Sequence, residues 1–129
     1  MSTPSERILR CFRDVSEAAD LIRAWVEEAG DARRAIFNDL KARSAIERQF
    51  LIISEAATRL YKIDPTIAPT LAPSVDWAGI RGIGNFIRHK YDDLDKTILI
   101  EVIENRLDGL RLASVQAGEA LEASSPPRA

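Results

Sequence analysis

The chain has 129 residues, of which 46% are apolar and 29% are charged, and its formal net charge is −2. That length suits one domain with a core large enough to fold without disulfides, and the single cysteine, Cys11, excludes an internal disulfide. A strongly basic footprint, typical of nucleic-acid binders, is missing. Residues 31–91 nevertheless carry 10 bases against 6 acids, so any contact with RNA is expected to be local.

The sequence predicts neither a membrane span nor an export signal. The opening segment MSTPSERILRCFRDV lacks the long apolar run of a signal peptide, and no stretch approaches the roughly 18–20 apolar residues needed to span a bilayer. We therefore predict a cytoplasmic protein with no membrane partner. With one histidine and one cysteine, a zinc site would need carboxylates for most of its ligands, so no metal and no cofactor is predicted.

Apolar residues recur at three- and four-residue steps through most of the chain, which is the spacing of one helix face. The predicted helices cover residues 4–28, 32–62, 77–91 and 95–122. Gly30 is expected to end the first helix and Asp31 to cap the second. Ser74 or Asp76 is expected to cap the third helix, and Asp95 the fourth.

Between the second and third helices, Pro65, Pro69 and Pro73 predict a loop, because proline does not fit inside a regular helix. The tail ASSPPRA, residues 123–129, is predicted to be disordered. No segment alternates apolar and polar residues as a strand would. We expect a single all-α domain over residues 1–122, built as an antiparallel four-helix bundle with long amphipathic helices.

The third predicted helix holds the only histidine, in the segment IRGIGNFIRHKYDDLD, residues 80–95. At about 100° per residue, its apolar residues fall on one side for the core. The opposite side gathers Arg81, Asn85, Arg88, His89 and Tyr91. This helix therefore combines a core face with a face that carries two guanidinium groups, an amide, an imidazole and a phenol.

Two glycines, Gly82 and Gly84, cost the same helix about 1 kcal/mol each relative to alanine. A common reason to accept that cost is close approach of another backbone or of a ligand. Arginine can hold a phosphate through two parallel hydrogen bonds, and a neutral histidine can act as a base. Such a set suits metal-free cleavage of RNA, in which a 2′-hydroxyl attacks its own phosphate while arginine stabilises the added charge. The alternative is a polar face that meets only water.

The segment DWAGIRGIGNFIRHKYDDLD resembles the signature of the HepT-type toxins in the HEPN superfamily. That signature is an arginine, a short spacer and His-x-Tyr, on a helix preceded by tryptophan and followed by an acidic turn. The matching positions are Trp77, Arg81, Asn85, His89, Tyr91 and the acids of 92–95. In IERQFLIISEAATRL, Glu55 lies at the position of the family's recurrent Gly/Ser-Glu-Ala. The resemblance covers about residues 5–115.

In the common pattern of that family an arginine directly precedes the asparagine, and Gly84 stands at that position here. Arg81 or Arg88 is expected to take over the role, although seven residues separate Arg81 from His89, against four to six in the common pattern. The resemblance therefore implies catalytic roles for Arg81, Arg88 and His89, with Asn85 in support.

Glu55 follows the apolar run FLII, so it is expected to be partly buried. A buried carboxylate needs a partner, and an arginine of the third helix is one candidate. The arginines of residues 33–48 are either a solvated face or a secondary RNA contact.

The resemblance implies a metal-independent endoribonuclease that cleaves tRNA or mRNA as the toxin of a type VII-like toxin–antitoxin pair. The active site would form where two protomers of a homodimer bring their third helices together. A cognate nucleotidyltransferase antitoxin would add AMP to Tyr91, placing bulk and negative charge beside the arginines. Two alternatives stand beside this one: a non-catalytic helical dimer that binds a nucleotidyltransferase or a nucleotide, and a purely structural helical dimer.

Overall fold

The computed structural model describes residues 2–89 and 93–124, including every side chain except those of Asp93 and Leu94. The regular structure in these residues is helical throughout, which confirms the predicted all-α class. The helices are α1 (Pro4–Ala29), a π-helical turn (Arg34–Asn38), α2 (Leu40–Ile63), α3 (Ile67–Leu71), α4 (Trp77–His89), α5 (Asp93–Asn105) and α6 (Leu107–Ser124). The chain is divided more finely than four helices, so the four-helix bundle stays a prediction.

The first helix begins and ends where the sequence predicts. The Thr3 hydroxyl accepts a hydrogen bond from the backbone N–H of Glu6 at 3.1 Å, and α1 starts at the next residue after Thr3. Gly30 ends the helix with φ 111°, a left-handed conformation that favours glycine. Asp31 accepts a hydrogen bond from the N–H of Arg34 at 2.8 Å, so it caps the helical turn that follows.

The predicted second helix, residues 32–62, is wrong in its first part. The π-helical turn occupies residues 34–38, and the backbone of Asp39 is extended, with φ −138° and ψ 95°. Asp39 then caps α2 through a hydrogen bond from the N–H of Ala42 at 3.0 Å. Ala35 and Ile36 of the π-helical turn remain fully buried. A π turn holds one residue more than an α-helical turn. The apolar residues therefore keep a nearly helical spacing on both sides of Asp39, and the sequence pattern does not reveal the break.

Replacing Asp39 with alanine is expected to lower the free energy of unfolding by about 1 kcal/mol, because the first turn of α2 loses its side-chain acceptor. Urea unfolding followed by circular dichroism measures this change. Glu17→Ala is the control, since Glu17 is exposed in the middle of α1 and should change stability by less than about 0.5 kcal/mol. An equal effect of the two substitutions would contradict the capping role.

The predicted loop over the three prolines contains a short helix, α3, so the loop prediction is wrong for residues 67–71. Pro69 is the third residue of α3. The N–H groups of a first helical turn have no acceptor within the helix, so proline sacrifices no hydrogen bond there. Ahead of α3, Asp64 accepts hydrogen bonds from the backbone N–H of Thr66 at 2.9 Å and from its hydroxyl at 2.8 Å. These bonds hold the pKa of Asp64 below its ordinary value.

The starts of the last helices agree only partly with prediction. Asp76 caps α4 by accepting the N–H of Gly79 at 3.0 Å, as predicted. Asp95 is not a cap, because α5 already begins at residue 93 and Asp95 lies buried in its first turn. Helices α5 and α6 follow each other closely, with the N–H of Arg106 bonded to the carbonyl of Val102 at 2.9 Å.

Residues 123–124 of the predicted tail belong to α6, and residues 125–129 lie outside the described part of the chain.

Helix α1 packs against α2 on one side and α6 on the other, while α4 packs mainly on α2. Large apolar side chains fill the core, among them Phe12, Ile22, Phe50, Ile53, Leu99 and Leu107. The Phe12 ring meets the edge of Trp77 with the centroids 6.0 Å apart, which connects α1 to the start of α4. None of the helices in the described residues is both long enough and apolar enough to cross a bilayer. Helix α2 thus offers one face to α4, and Arg81, Asn85 and Arg88 of the predicted site line the space between these two helices.

Candidate functional site

An open groove of about 440 Å³ runs between α2 and α4. It is lined by Ser54, Glu55, Thr58, Arg59 and Lys62 from α2 and by Arg81, Asn85 and Arg88 from α4. The helix spacing placed Arg81, Asn85 and Arg88 on one side of their helix, and the structure brings these three side chains into one groove. Three arginines and a lysine line the groove against one carboxylate, so its excess of positive charge suits an anion.

The floor of the groove is a close contact between Ser54 and α4. The Ser54 hydroxyl donates a hydrogen bond to the carbonyl of Arg81 at 2.7 Å and accepts one from the N–H of Gly84 at 3.2 Å. A Cβ atom at Gly84 would lie 2.8 Å from the Ser54 Oγ, so glycine is required for this approach. At Gly84 the close neighbour is thus a side chain, and not the backbone or ligand that the sequence predicts. At Gly82 an added Cβ would meet no described atom within 4 Å.

Gly84→Ala is expected to lower the free energy of unfolding by about 1–3 kcal/mol, because the new methyl group overpacks the contact with buried Ser54. The matched control is Gly82→Ala, which should raise stability by up to about 1 kcal/mol through helix propensity alone. Chemical denaturation of both variants gives the comparison. In a Ser54→Ala background the Gly84→Ala penalty should largely disappear, and a penalty that persists unchanged would contradict the contact as its cause.

Arg81 is held in the groove by an aromatic ring. Its guanidinium carbon lies 4.2 Å from the ring centroid of Tyr61 on α2, within the range of a cation–π contact. The guanidinium forms no hydrogen bond or ion pair with any other described residue. Stacking occupies one face of the guanidinium and leaves its N–H groups, which lie in the plane, available for a phosphate.

Arg88 pairs with Glu55 across the groove at 3.3 Å, as the sequence indicated for an arginine of this helix. The side chains of Arg88 and Glu55 are 47% and 43% exposed, so solvent screens their attraction and the pair contributes at most about 1 kcal/mol. An incoming phosphate can therefore compete with Glu55 for Arg88.

His89 does not line this groove. It is the last residue of α4, it is exposed, and it makes no hydrogen bond or ion pair with another described residue. Arg81 lies eight positions earlier, which corresponds to about 12 Å along the helix axis. His89 is therefore separated along α4 from the groove position that Arg81 occupies. Tyr91 lies outside the described residues.

Of the α2 residues that line the groove, the sequence predicts only Glu55. Arg59 and Lys62 stand four and seven positions after Glu55, so helix periodicity puts all three on one face. That spacing is the signal that would have predicted them. Among the described residues, no three side chains of His, Cys, Asp or Glu lie close enough together to hold a metal ion.

Fold and groove together define a small all-helical domain with an arginine-lined cleft between two helices. The chain belongs to the Ribonuclease HepT-like family, whose model matches residues 15–116. That range includes every residue predicted for the site and both helices of the groove. Among curated proteins no significant match is found, and none is found among solved structures.

Proposed function

We propose that the protein is a metal-independent endoribonuclease of RNA and the toxin of a toxin–antitoxin pair. Membership of the Ribonuclease HepT-like family supports RNA cleavage as the activity. The observation that carries the proposal is Arg81, stacked on Tyr61 in the groove with its N–H groups free of described partners. A guanidinium fixed in this way is a ready ligand for a phosphate whose negative charge grows during the reaction.

In the proposed reaction, His89 removes the proton from a ribose 2′-hydroxyl, whose oxygen then attacks the adjacent phosphorus. Arg81 and Arg88 stabilise the added negative charge, with Asn85 beside them in the groove. The bond from phosphorus to the 5′ oxygen breaks, and the leaving oxygen takes up a proton. The products are a 2′,3′-cyclic phosphate and a free 5′-hydroxyl.

The distance between His89 and Arg81 along α4 supports a site that is shared by two copies of the chain. Because His89 stands about 12 Å along the helix from Arg81, His89 of one protomer would serve the phosphate that Arg81 of the other protomer holds. The aromatic side chain of Phe86 is 39% exposed on the same helix. This exposed ring lies on the apolar side of α4, beside Ile83 and Ile98, and it offers an apolar surface that a second copy of the chain could cover.

The proposal extends to control by a nucleotidyltransferase antitoxin that adenylylates Tyr91. The tyrosine oxygen would attack the α-phosphorus of ATP, and pyrophosphate would leave. The new phosphate would lie two residues beyond His89 and add negative charge near Arg88, so RNA phosphate would be repelled. Incubation of the protein with the partner enzyme and ATP should add the mass of one AMP at Tyr91. Modification at another residue, or none, would contradict this part of the proposal.

A second candidate is a non-catalytic helical dimer that binds a nucleotidyltransferase or a nucleotide. Three observations favour it: Gly84 replaces the usual arginine, Glu55 already pairs with Arg88, and His89 stands outside the groove. This candidate predicts a stable complex with the partner enzyme, no RNA cleavage, and no growth arrest when the chain is expressed.

The deciding experiment incubates the purified protein with tRNA and with mRNA in EDTA and analyses the ends of the fragments. The nuclease proposal predicts cleavage that resists EDTA and leaves 2′,3′-cyclic phosphate ends. Absence of cleavage, together with a tight complex between the protein and the nucleotidyltransferase, would replace the nuclease with the second candidate.

A further inference from the structure

A second groove adjoins the first one across α2. It has a volume of about 320 Å³, and Arg7 and Arg10 from α1 line it. Arg59 and Lys62 line both grooves, so the two grooves are neighbouring parts of one surface and share these two side chains. We call this surface the basic track; its cations are Arg7, Arg10, Arg59, Lys62, Arg81 and Arg88.

The charge of the basic track contrasts with that of the whole chain. The basic track holds 6 of the chain's 18 bases, and the residues that line its two grooves include 2 of the chain's 20 acids. The formal charge of these lining residues is therefore +4, and that of all other residues together is −6. Both acids are already paired: Asp14 lies 3.2 Å from Arg59, and Glu55 lies 3.3 Å from Arg88. The chain as a whole is thus slightly negative, whereas the basic track is positively charged.

Three cations of the basic track are accessible to a ligand. Arg7, Arg10 and Lys62 are exposed, and none of them forms an ion pair within the described ranges 2–89 and 93–124. Arg7 and Arg10 lie about one helical turn apart, and the stretch of α2 from Glu55 to Lys62 is about 10 Å long. Positive groups therefore recur along a path that leads from the proposed cleavage site to the start of α1.

We propose that the basic track binds the phosphate backbone of single-stranded RNA and leads it from Arg81, across α2, to Arg7 and Arg10. The choice of RNA rests on the proposed nuclease function, whereas the path rests on charge and groove geometry. Arginines predominate among the cations, and their planar guanidinium groups match phosphate through paired hydrogen bonds. A single strand fits better than a duplex, because attack by the 2′-hydroxyl needs a backbone that can adopt the in-line geometry.

The test measures binding and not cleavage, so that it is independent of the nuclease proposal. A fluorescent single-stranded 2′-O-methyl oligouridylate, which lacks the attacking hydroxyl, is titrated with the full chain between about 50 and 200 mM salt. Arg7→Gln/Arg10→Gln is compared with Arg33→Gln/Lys41→Gln, which removes the same charge from the other end of the α1–α2 pair, away from both grooves. The control also tests the arginine-bearing segment 33–48 as the alternative contact.

Arg7→Gln/Arg10→Gln should weaken binding about tenfold or more and reduce the slope of log K against log salt by about 1.4, since each lost contact with a single strand removes about 0.7. The control variant should leave the slope unchanged. The basic track is overturned if the parent does not bind, if the two variants behave alike, or if polyglutamate competes as well as RNA. If binding behaves as expected but natural RNA is not cleaved, the track stands and the nuclease proposal fails.

Discussion

Replacing His89 with alanine should lower the rate of RNA cleavage by about 10²–10⁴-fold, the usual contribution of a general base. His89 is exposed at the end of α4 and has no partner among the described residues, so its loss should leave the free energy of unfolding unchanged. Initial rates on a defined single-stranded RNA, together with thermal unfolding of the same samples, measure both quantities.

Two further results decide what a loss of activity at His89 means. His89→Ala should bind the non-cleavable oligonucleotide as the parent does, because the imidazole lies outside the groove. Overexpression of the parent should arrest growth, and His89→Ala should not. If His89→Ala cleaves RNA as fast as the parent, His89 is not the base and the nuclease mechanism proposed above is wrong.

Replacing Arg81 with glutamine should lower the cleavage rate by about 10²–10³-fold, as removal of one charge-stabilising donor does in other active sites. Arg81→Lys should recover little of this loss, because lysine keeps the charge but offers neither the stacking on Tyr61 nor two parallel hydrogen bonds. Arg88→Gln should have a smaller effect, since Arg88 begins in an ion pair with Glu55. Single-turnover rates rank the three variants, and an effect of Arg88→Gln that exceeds Arg81→Gln would reverse the assignment.

Mixing two inactive variants tests whether the site is shared between protomers. Arg81→Gln and His89→Ala, unfolded together and refolded as mixed dimers, should regain about one quarter of parental activity, because half of the dimers are mixed and each contains one intact site. If both residues acted within one protomer, every site in a mixed dimer would lack one residue and no activity would return.

Helix periodicity predicted which side of α4 carries the polar residues, and it did so because the angle per residue depends on local geometry alone. It did not predict that α2 would meet that side with Arg59, Lys62 and Tyr61. That knowledge requires the packing of two helices far apart in sequence. The sequence predicts a pairing of Glu55 with an arginine of α4 from the burial of this carboxylate. The pair is present, although the Glu55 side chain is 43% exposed, so burial is not what requires it.

The fold prediction failed where local rules have exceptions that the sequence does not display. The prolines predict a loop over residues 67–71, yet Pro69 lies in a first helical turn, where its missing N–H costs no hydrogen bond. The break at Asp39 was hidden, because a π turn keeps Ala35 and Ile36 in the core. The sequence predicts a close approach at both Gly82 and Gly84, and among the described residues only Gly84 has a close neighbour.

The approach of Ser54 to the backbone of α4 also bears on how this chain can diversify. Since the Ser54 Oγ occupies the space beside Gly84, a side chain at position 84 meets this hydroxyl first. Gly84→Arg alone should therefore destabilise the chain, and Ser54→Ala should relieve much of that loss. Which residues position 84 accepts thus depends on the residue at position 54 of the other helix.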